Sequence, residues 1–418
     1  MNLKQQITRI AKRAKEASGY MAQLSSPKKD AILKEMALSL LKNKEFILRA
    51  NKKDIAQARR RGIALAFLER LTLSEKRIKE MAECLIQISR LKDPVGGVIK
   101  AWATPNGLRI RKVRVPVGVI AIIYESRPNV TSDCIGLAFK SGNSVILRGG
   151  SEALTSNLAI FKLLKAVLIN NRIPEGAVSL LATADRSALD VLLKQDAFID
   201  LVMPRGGEGL IRRVIKLSRI PIIKHYKGIC HVYVDEEADL NMAQNICFNA
   251  KVQRPGVCNA MESLLVHERV AGRFLPGMLK RFKQVGVEIR ADAVTKRIFK
   301  DVESATESDY RTEYLDLILS VKVVKDLKQA IWHINHFGSH HSDAIVTDDA
   351  ATAQKFLKEV DSACVYVNAS TRFTDGYQFG LGAEIGISTD KLHARGPVAL
   401  EELTTYKYVV YGKGQIRT

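Results

Sequence analysis

The feature that most constrains the fold is an alternation of apolar runs and helical patterns that begins at residue 117. The segment 117–124 is almost continuously apolar, as expected of a strand that is buried on both faces. Similar runs at 144–147, 177–181 and 199–203 are each followed by a helical pattern. This repetition predicts an α/β fold with a doubly wound, mostly parallel sheet.

A second alternation of the same kind begins near residue 231. It predicts a second doubly wound, Rossmann-like domain. The predicted strands are 231–234, 263–267, 342–347 and 363–367, and the predicted helices lie near 238–252, 268–285, 326–337 and 349–358.

The remaining segments flank these two domains. Residues 1–92 are predicted to be helical, with a Thr72-x-x-Glu75 capping box as one start signal. Residues 98–115 are predicted to form a hairpin, and the β-prone tail 403–411 to pair with it or with another subunit. The predicted division is a first domain of residues 1–97 and 115–226, a second of 227–390, and a small β oligomerisation arm of 98–114 and 391–418.

Composition narrows the classes of function. Lys and Arg outnumber Asp and Glu by 65 to 44 in 418 residues, which gives a net charge of +21. The basic residues are spread along the chain and aromatic residues make up only 6%, so a solvated basic surface is favoured over a nucleic-acid partner. No stretch approaches the roughly 20 apolar residues that span a bilayer, and the polar start lacks an apolar signal core. We expect a cytoplasmic protein with no membrane partner.

Cys258 is the candidate nucleophile. The six cysteines form no Cys-x-x-Cys pair, which is typical of reduced thiols in a cytosolic enzyme. Cys258 differs from the others because it follows a Pro255-Gly256 turn and has Lys251 and Arg254 close in sequence. Nearby positive charge lowers the pKa of a thiol, and a thiolate attacks acyl carbons to form thioesters. The alternative is the usual role of cysteine as an inert, buried side chain.

Two glycine-rich turns are candidate anion sites. Arg148-Gly149-Gly150-Ser151 and Pro204-Arg205-Gly206-Gly207-Glu208-Gly209 each follow a predicted strand and open a predicted helix, where a nucleotide phosphate would meet backbone N–H groups. Such turns are also common without a ligand, and no Gly-x-Gly-x-x-Gly fingerprint follows the first strand, so a standard Rossmann site is not supported. Tyr124-Glu125-Ser126-Arg127-Pro128-Asn129 ends the first strand, either facing a ligand crevice or forming a turn with an Asn cap.

The histidines at 333, 336, 340 and 341 form a cluster in the sequence. A zinc site would want a carboxylate or thiolate in register with them. A surface helix, or a loop that touches substrate or cofactor, is the favoured interpretation, and the sequence predicts no metal site.

At these residues the chain resembles the gamma-glutamyl phosphate reductase (glutamate-5-semialdehyde dehydrogenase) family of proline biosynthesis, within the aldehyde dehydrogenase superfamily. The resemblance runs essentially end to end. The segments that carry it are 115–119, 124–129, 140–143, 147–153, 203–207, 228–235, 253–260, 313–316 and 379–386.

The resemblance implies a role for each motif. Cys258 is the catalytic thiol, and Asn129 is the candidate for the oxyanion-hole asparagine, in a turn that is about two residues longer than in the superfamily. The first domain binds the cofactor and the second is catalytic. Arg148 lies by the adenosine ribose, where a guanidinium favours NADPH over NADH. The implied cofactor-binding residues are Arg148, Gly149, Ser151, Arg205, Gly206, Gly207 and Glu313, and the candidates that meet substrate phosphate or carboxylate are Arg127, Lys224 and Arg254.

One departure from the superfamily bears on the reaction. Hydrolytic aldehyde dehydrogenases carry a general-base glutamate where this chain has Lys224-His225-Tyr226-Lys227-Gly228, which holds no carboxylate. The resemblance therefore implies NADPH-dependent reduction of L-glutamyl 5-phosphate to L-glutamate 5-semialdehyde, with release of phosphate, as the second step of proline biosynthesis. Another acyl phosphate or an acyl-CoA as substrate, and a nucleic-acid-binding protein, remain the alternatives. A homo-oligomer and a glutamate 5-kinase partner are also expected.

Overall fold

The computed structural model describes residues 2–63 and 65–417. The helices are α1 (Leu3–Met21), α2 (Ser26–Lys42), α3 (Lys44–Arg60), α4 (Leu65–Leu71), α5 (Glu75–Arg90), α6 (Asn129–Lys140), α7 (Leu154–Asn170), α8 (Ser187–Leu192), α9 (Glu208–Leu217), α10 (Leu240–Val252), α11 (Glu268–Gln284), α12 (Ala293–Ile298), α13 (Glu307–Tyr310), α14 (Leu327–Phe337) and α15 (Ala350–Glu359). The strands are β1 (Val98–Ala103), β2 (Arg109–Pro116), β3 (Val119–Tyr124), β4 (Ser144–Arg148), β5 (Val178–Leu180), β6 (Leu201–Arg205), β7 (Cys230–Val234), β8 (Met261–His267), β9 (Glu288–Ala291), β10 (Glu303–Ser304), β11 (Ile318–Val324), β12 (Ser342–Val346), β13 (Cys364–Val367), β14 (Gly386–Ser388), β15 (Gly396–Val398) and β16 (Thr404–Tyr411).

The first sheet is parallel and has the strand order β5-β4-β3-β6. Both of its faces are covered. Ile120 and Ile122 of β3 pack with side chains from α2, α5, α6 and α7, whereas Val119 and Ala121 pack with side chains from α1, α8 and α9. The prediction of a strand buried on both faces is confirmed. The strand order reverses beside β3, and ligands of doubly wound sheets bind at the carboxyl ends of the strands at such a point.

The second sheet is also parallel, in the order β10-β9-β11-β8-β7-β12-β13. One face packs on α10 and α11, and the other face packs on α14 and α15. The predicted α/β fold class with two doubly wound Rossmann-like domains is confirmed. The strands β9, β10 and β11 were not predicted, and neither was the short antiparallel pair of β14 and β15.

The hairpin and the tail form a separate antiparallel sheet, β1-β2-β16. Tyr411 pairs with Arg109 and Thr404 pairs with Pro116, so β16 lies along all of β2. The predicted pairing of the tail with the hairpin is therefore confirmed. The sheet exposes large apolar side chains, among them Trp102, Tyr408 and Val410.

Two further local features bear on the sequence predictions. The capping box predicted at Thr72 is wrong, because Ser74 caps α5 by accepting from the Arg77 N–H, while Thr72 donates its hydroxyl to the Leu68 carbonyl. The chain also returns to the first domain near its end, since Ile385 and Leu403 pack into the core of the first sheet.

Among the described residues, no helix is long and apolar enough to cross a membrane, and no three His, Cys, Asp or Glu side chains converge as metal ligands.

Candidate active site

The carboxyl edge of the first sheet carries a strained turn. After β3, Ser126 adopts a left-handed backbone conformation with φ of 37°. Its N–H and hydroxyl both donate to Glu152 Oε1, at 2.7 and 2.8 Å. Non-glycine residues hold such a conformation only when their surroundings fix it, and these turns concentrate at functional sites. The turn directs the chain into α6, which begins at Asn129.

Cys258 lies in the loop between α10 and β8, at the amino edge of the second sheet. The backbone around it is held closely. A Cβ added to Gly228 would stand 2.4 Å from the Cys258 Cα, so only glycine allows this approach. The Cys230 thiol donates to the Cys258 carbonyl at 3.1 Å. The start of β7 therefore fixes the loop that presents the Cys258 side chain.

The charge that acts on Cys258 comes from Arg205, at the end of β6 in the first sheet. Burial raises the pKa of the Cys258 thiol to about 11, and Arg205 opposes that shift. The sequence-based idea that Lys251 activates the thiol is wrong, because Lys251 is fully buried in an ion pair with Glu262 at 2.7 Å. The prediction that Arg205 binds the cofactor stays untested, although its side chain lies toward the thiol.

A cavity of about 650 Å³ opens beside the residues that precede Cys258. Arg127 and Arg254, two of the predicted substrate ligands, line it together with Asn129 and Gly256. Burial, together with the neighbouring charges of Arg205, Arg70 and Arg254, lowers the pKa of Arg127 to about 10. Arginines held this close together form a site for a polyanion.

Asn129 faces this cavity and has a carboxylate neighbour. Its Nδ2 donates to Asp133 Oδ2 at 3.1 Å, which fixes the plane of the amide and leaves the second N–H of Nδ2 available. Asp133 also lines the cavity, and burial raises its pKa to about 6. The sequence indicated Asn129 from its position after the first strand, but gave no signal for Asp133.

A second cavity, of about 670 Å³, lies at the carboxyl edge of the first sheet. Arg148 and Ser151, two of the predicted cofactor-binding residues, line it together with Arg186 and Arg213. Within the part of the chain that the structure describes, Arg148 Nε is buried and has no hydrogen-bond partner. Burial lowers the pKa of Arg148, and Arg186 and Arg213 lower it further, whereas Glu152 opposes the shift. Three guanidinium groups around one cavity fit a ligand that carries phosphate.

The second glycine turn begins α9 beside this cavity. The Gly207 N–H, at the helix N-terminus, donates to Glu125 Oε2 at 2.9 Å. A Cβ on Gly206 would stand 2.4 Å from the same carboxylate oxygen, and one on Gly149 would stand 2.1 Å from Asn157 Nδ2. The glycines therefore provide close backbone approach, and a carboxylate accepts from the helix end where an anion is favoured.

The other two predicted site residues lie in different settings. Glu313 Oε1 accepts from the Gly228 N–H at 2.9 Å, so Glu313 lies next to the backbone that packs on Cys258. Lys224 pairs with Asp390 at 2.7 Å and does not line the cavity beside Cys258.

Two residues near the thiol were missed by sequence reasoning. Glu384 lines the cavity, and its charge raises the pKa of Cys258. Burial raises the pKa of Glu384 itself to about 7, although the charge of Arg205 opposes this shift. Arg372 interacts with the charge of Cys258 and donates to Gln253 Oε1 at 2.8 Å. The segment 379–386 gave a signal for Glu384 through its resemblance, but no role was assigned to it.

The chain is similar to known proteins in both sequence and structure. A sequence profile of the aldehyde dehydrogenase family matches residues 2–298. A gamma-glutamyl phosphate reductase of Thermodesulfovibrio yellowstonii is 55% identical over 417 residues, covering 100% of both chains. The crystal structure of gamma-glutamyl phosphate reductase from Thermotoga maritima superimposes with a TM-score of 0.97 and 48% identity, covering 99% of this chain and 100% of that one.

A more distant relative shares the fold alone. The crystal structure of a betaine aldehyde dehydrogenase from Staphylococcus aureus, in complex with NAD⁺, has a TM-score of 0.68 and 17% identity. The alignment covers 99% of this chain and 90% of that one. The two-sheet framework is thus common to enzymes whose sequences have diverged widely.

Proposed function

This chain belongs to the gamma-glutamyl phosphate reductases of the aldehyde dehydrogenase family, and from that premise we propose that it reduces L-glutamyl 5-phosphate to L-glutamate 5-semialdehyde with NADPH. Phosphate is released, and the semialdehyde serves proline biosynthesis. The observation that carries the proposal is Cys258, which lies under the influence of Arg205 and beside a cavity lined by Arg127 and Arg254. A nucleophile among arginines suits an acyl group that bears a phosphate.

Cys258 attacks in its thiolate form. Its sulfur bonds to the acyl carbon, and negative charge moves to the acyl oxygen. The Cys258 backbone N–H, which interacts with its own sulfur, and the free N–H of Asn129 donate to that oxyanion. The bond between carbon and the phosphate oxygen then breaks and leaves a thioester on Cys258. Arg127 and Arg254 stabilise the departing phosphate.

The cavity at Arg148 fits the cofactor. The unpaired Arg148 Nε and the guanidinium groups of Arg186 and Arg213 would meet the phosphate on the adenosine ribose that distinguishes NADPH from NADH. The same cofactor would be held by Gly149, Ser151, Gly206, Gly207 and Glu313. When bound, the reduced nicotinamide supplies the hydride that the thioester carbon takes up.

After hydride transfer, residues of the protein guide the release of the product. The Cys258 and Asn129 donors hold the oxygen of the thiohemiacetal, whose carbon–sulfur bond breaks to release the semialdehyde and return the thiolate. The segment 224–228 offers no carboxylate to activate water. Glu313 and Glu384, the nearby carboxylates that act on Cys258, each accept from a backbone N–H. The lack of a carboxylate in the segment 224–228 favours reduction of the thioester over its hydrolysis.

The reverse reaction tests this proposal. With glutamate 5-semialdehyde, phosphate and NADP⁺, the wild type should form NADPH only when phosphate is present. Cys258→Ala should lower that rate by several orders of magnitude, because no thioester can form. Cys247→Ala, in the core of the second sheet, is the matched cysteine control and should retain activity. Near-normal activity of Cys258→Ala would contradict the thioester mechanism. Faster turnover of another aldehyde would show that glutamate 5-semialdehyde is not the preferred substrate.

We also propose that the chain forms a homo-oligomer through the β1-β2-β16 sheet. The outer edge of β16 has no strand partner among the described residues, and the sheet exposes apolar side chains. A second copy of the chain would cover both. Because acyl phosphates are labile, a glutamate 5-kinase that hands over its product is the expected second partner.

A further inference from the structure

We infer that Asp133 binds the α-ammonium group of the substrate and so makes the enzyme selective for an amino-acid acyl phosphate. This inference rests on the proposed function and assigns a new specificity-determining residue to its site. Asp133 lies on α6, one helical turn after Asn129, and lines the cavity beside Cys258.

The environment of Asp133 lacks a positive charge. Its carboxylate accepts hydrogen bonds from the Asn129 amide at 3.1 Å and the Ser132 hydroxyl at 3.2 Å, and it contacts the Cys84 thiol. Among the described residues, no Lys, Arg or His nitrogen lies within ion-pair distance of it. A carboxylate taken out of water without a cation is costly, and a cationic ligand would remove that cost.

The opposite charge is present in the same cavity and also lacks a partner. Arg70, Arg127 and Arg254 line it, and none of them forms an ion pair with any described residue. These arginines would repel an ammonium group and attract phosphate and carboxylate. The cavity therefore offers guanidinium groups for the anionic ends of a ligand and the Asp133 carboxylate for a cationic group.

The geometry allows one substrate to reach both ends. In an extended glutamyl group the acyl carbon and the α-nitrogen are about 5 Å apart, from ordinary bond lengths. Asn129, the proposed donor to the acyl oxygen, is itself hydrogen-bonded to Asp133 at 3.1 Å. An acyl group held at Asn129 thus brings its α-nitrogen within the range of the Asp133 carboxylate.

The other carboxylates of the cavity are less suited to this role. Asp375 Oδ1 accepts from the Tyr377 and Gln378 N–H groups at 2.9 and 3.2 Å, which shapes its own loop. Glu384 accepts from the Gly376 N–H at 3.0 Å and already interacts with Arg205. Glu69 and Glu80 lie at the cavity on the helical segment that precedes the first sheet, and both are exposed to water.

Two aldehydes that differ only at the α-position test the inference in the reverse reaction. The first is glutamate 5-semialdehyde, and the second is 5-oxopentanoate, which lacks the amino group. For the wild type we expect kcat/KM, expressed per open-chain aldehyde, to favour the amino compound on the order of 100-fold, since a buried carboxylate would otherwise stay unpaired. In Asp133→Asn, whose side-chain oxygen still accepts from Asn129, this preference should collapse to a few-fold at most.

The possible outcomes separate the two proposals. If Asp133 only orients Asn129, the substitution lowers kcat/KM for both aldehydes by the same factor, and the inference is overturned. A wild type that does not distinguish the aldehydes overturns it without any variant. A wild type that is inactive on both aldehydes rejects the proposed function itself. Glu80→Gln removes a carboxylate from the same cavity wall and should keep the wild-type preference.

Discussion

The reactivity of Cys258 depends on a residue that is 53 positions away in the sequence. Burial raises the pKa of the thiol to about 11, so only a small fraction is thiolate near neutral pH, and Arg205 keeps that fraction from being smaller. Arg205 extends from the first sheet, whereas Cys258 belongs to the second. The nucleophile therefore reaches its working state only when the two sheets are assembled.

Removal of the Arg205 charge should make Cys258 less reactive. We expect Arg205→Gln to raise the pKa of the thiol further and to slow its alkylation by iodoacetamide about tenfold near neutral pH, one pKa unit being about 1.4 kcal/mol. Inactivation rates measured from pH 7 to 10 rise in proportion to the thiolate fraction, so the ratio of the rates of the two proteins reports the change in pKa. Arg254→Gln is the control, and its profile should stay closer to the wild type. Identical profiles for the wild type and Arg205→Gln would contradict the assigned role.

Arg148 should decide between the two nicotinamide cofactors. Its guanidinium can bind a phosphate through two N–H groups, whereas a lysine offers a single ammonium. We expect Arg148→Lys to lower the preference for NADPH over NADH, measured as the ratio of kcat/KM values, by about tenfold, the effect of losing one charge-assisted hydrogen bond. Arg273→Lys, exposed on α11, is the matched control. If the ratio of kcat/KM values for NADPH and NADH is unchanged in Arg148→Lys, the preference for NADPH would have to come from Arg186 and Arg213.

At the scale of secondary-structure elements, the apolar pattern of the sequence identifies those strands that are buried on both faces. The strands β3 and β4 were predictable because neighbouring side chains on both faces are buried. The strand β9 is only four residues long and begins with an exposed glutamate, and Lys322 interrupts the apolar run of β11. A search for continuous apolar runs does not detect strands that are this short or that contain exposed or charged residues.

The residues of the site likewise divide into those that the sequence indicates and those that only the packing of the two sheets reveals. Cys258 and Asn129 could be singled out as candidates because a turn or a strand end marks them in the sequence. Lys251 is closer to Cys258 in sequence than Arg205, yet its position on α10 turns its side chain into the core toward Glu262. Which charges meet across the two sheets depends on their packing, which no local pattern encodes.

The buried pair of Lys251 and Glu262 ties α10 to β8 on either side of the catalytic loop. Glu262 Oε1 also accepts from the Leu315 N–H at 3.2 Å, which holds the segment that follows Glu313. We expect Lys251→Met to lower the free energy of unfolding by about 3–5 kcal/mol, because it leaves a buried carboxylate unpaired. Urea denaturation measures this loss.

A second variant separates charge from packing in this pair. Lys251→Met combined with Glu262→Gln keeps an acceptor for Leu315 and removes both charges. It should recover more than half of the lost stability, since the isolated buried charge is then absent. If the double variant is as unstable as the single one, the cost comes from the packing of the lysine stem and not from its charge.

The whole molecule combines two sheets that form a site and a third that lies outside it. Residues that follow strands of both parallel sheets line the two cavities and act on Cys258. The β1-β2-β16 sheet, in contrast, places Trp102 and Tyr408 in edge-to-face contact with ring centroids 6.1 Å apart, while leaving both partly exposed. An apolar surface of this kind on an unpaired sheet edge is typical of an interface.

Self-association through this sheet should be sensitive to a single charge. Val410 is 52% exposed on β16, and Ile169 at the end of α7 is 55% exposed, so the two positions are matched in size and exposure. We expect Val410→Lys to shift the mass measured by analytical ultracentrifugation toward the monomer, because a lysine would be buried without a partner in the interface. Ile169→Lys should leave the mass unchanged. Equal masses for the wild type and both variants would rule out this sheet as the interface.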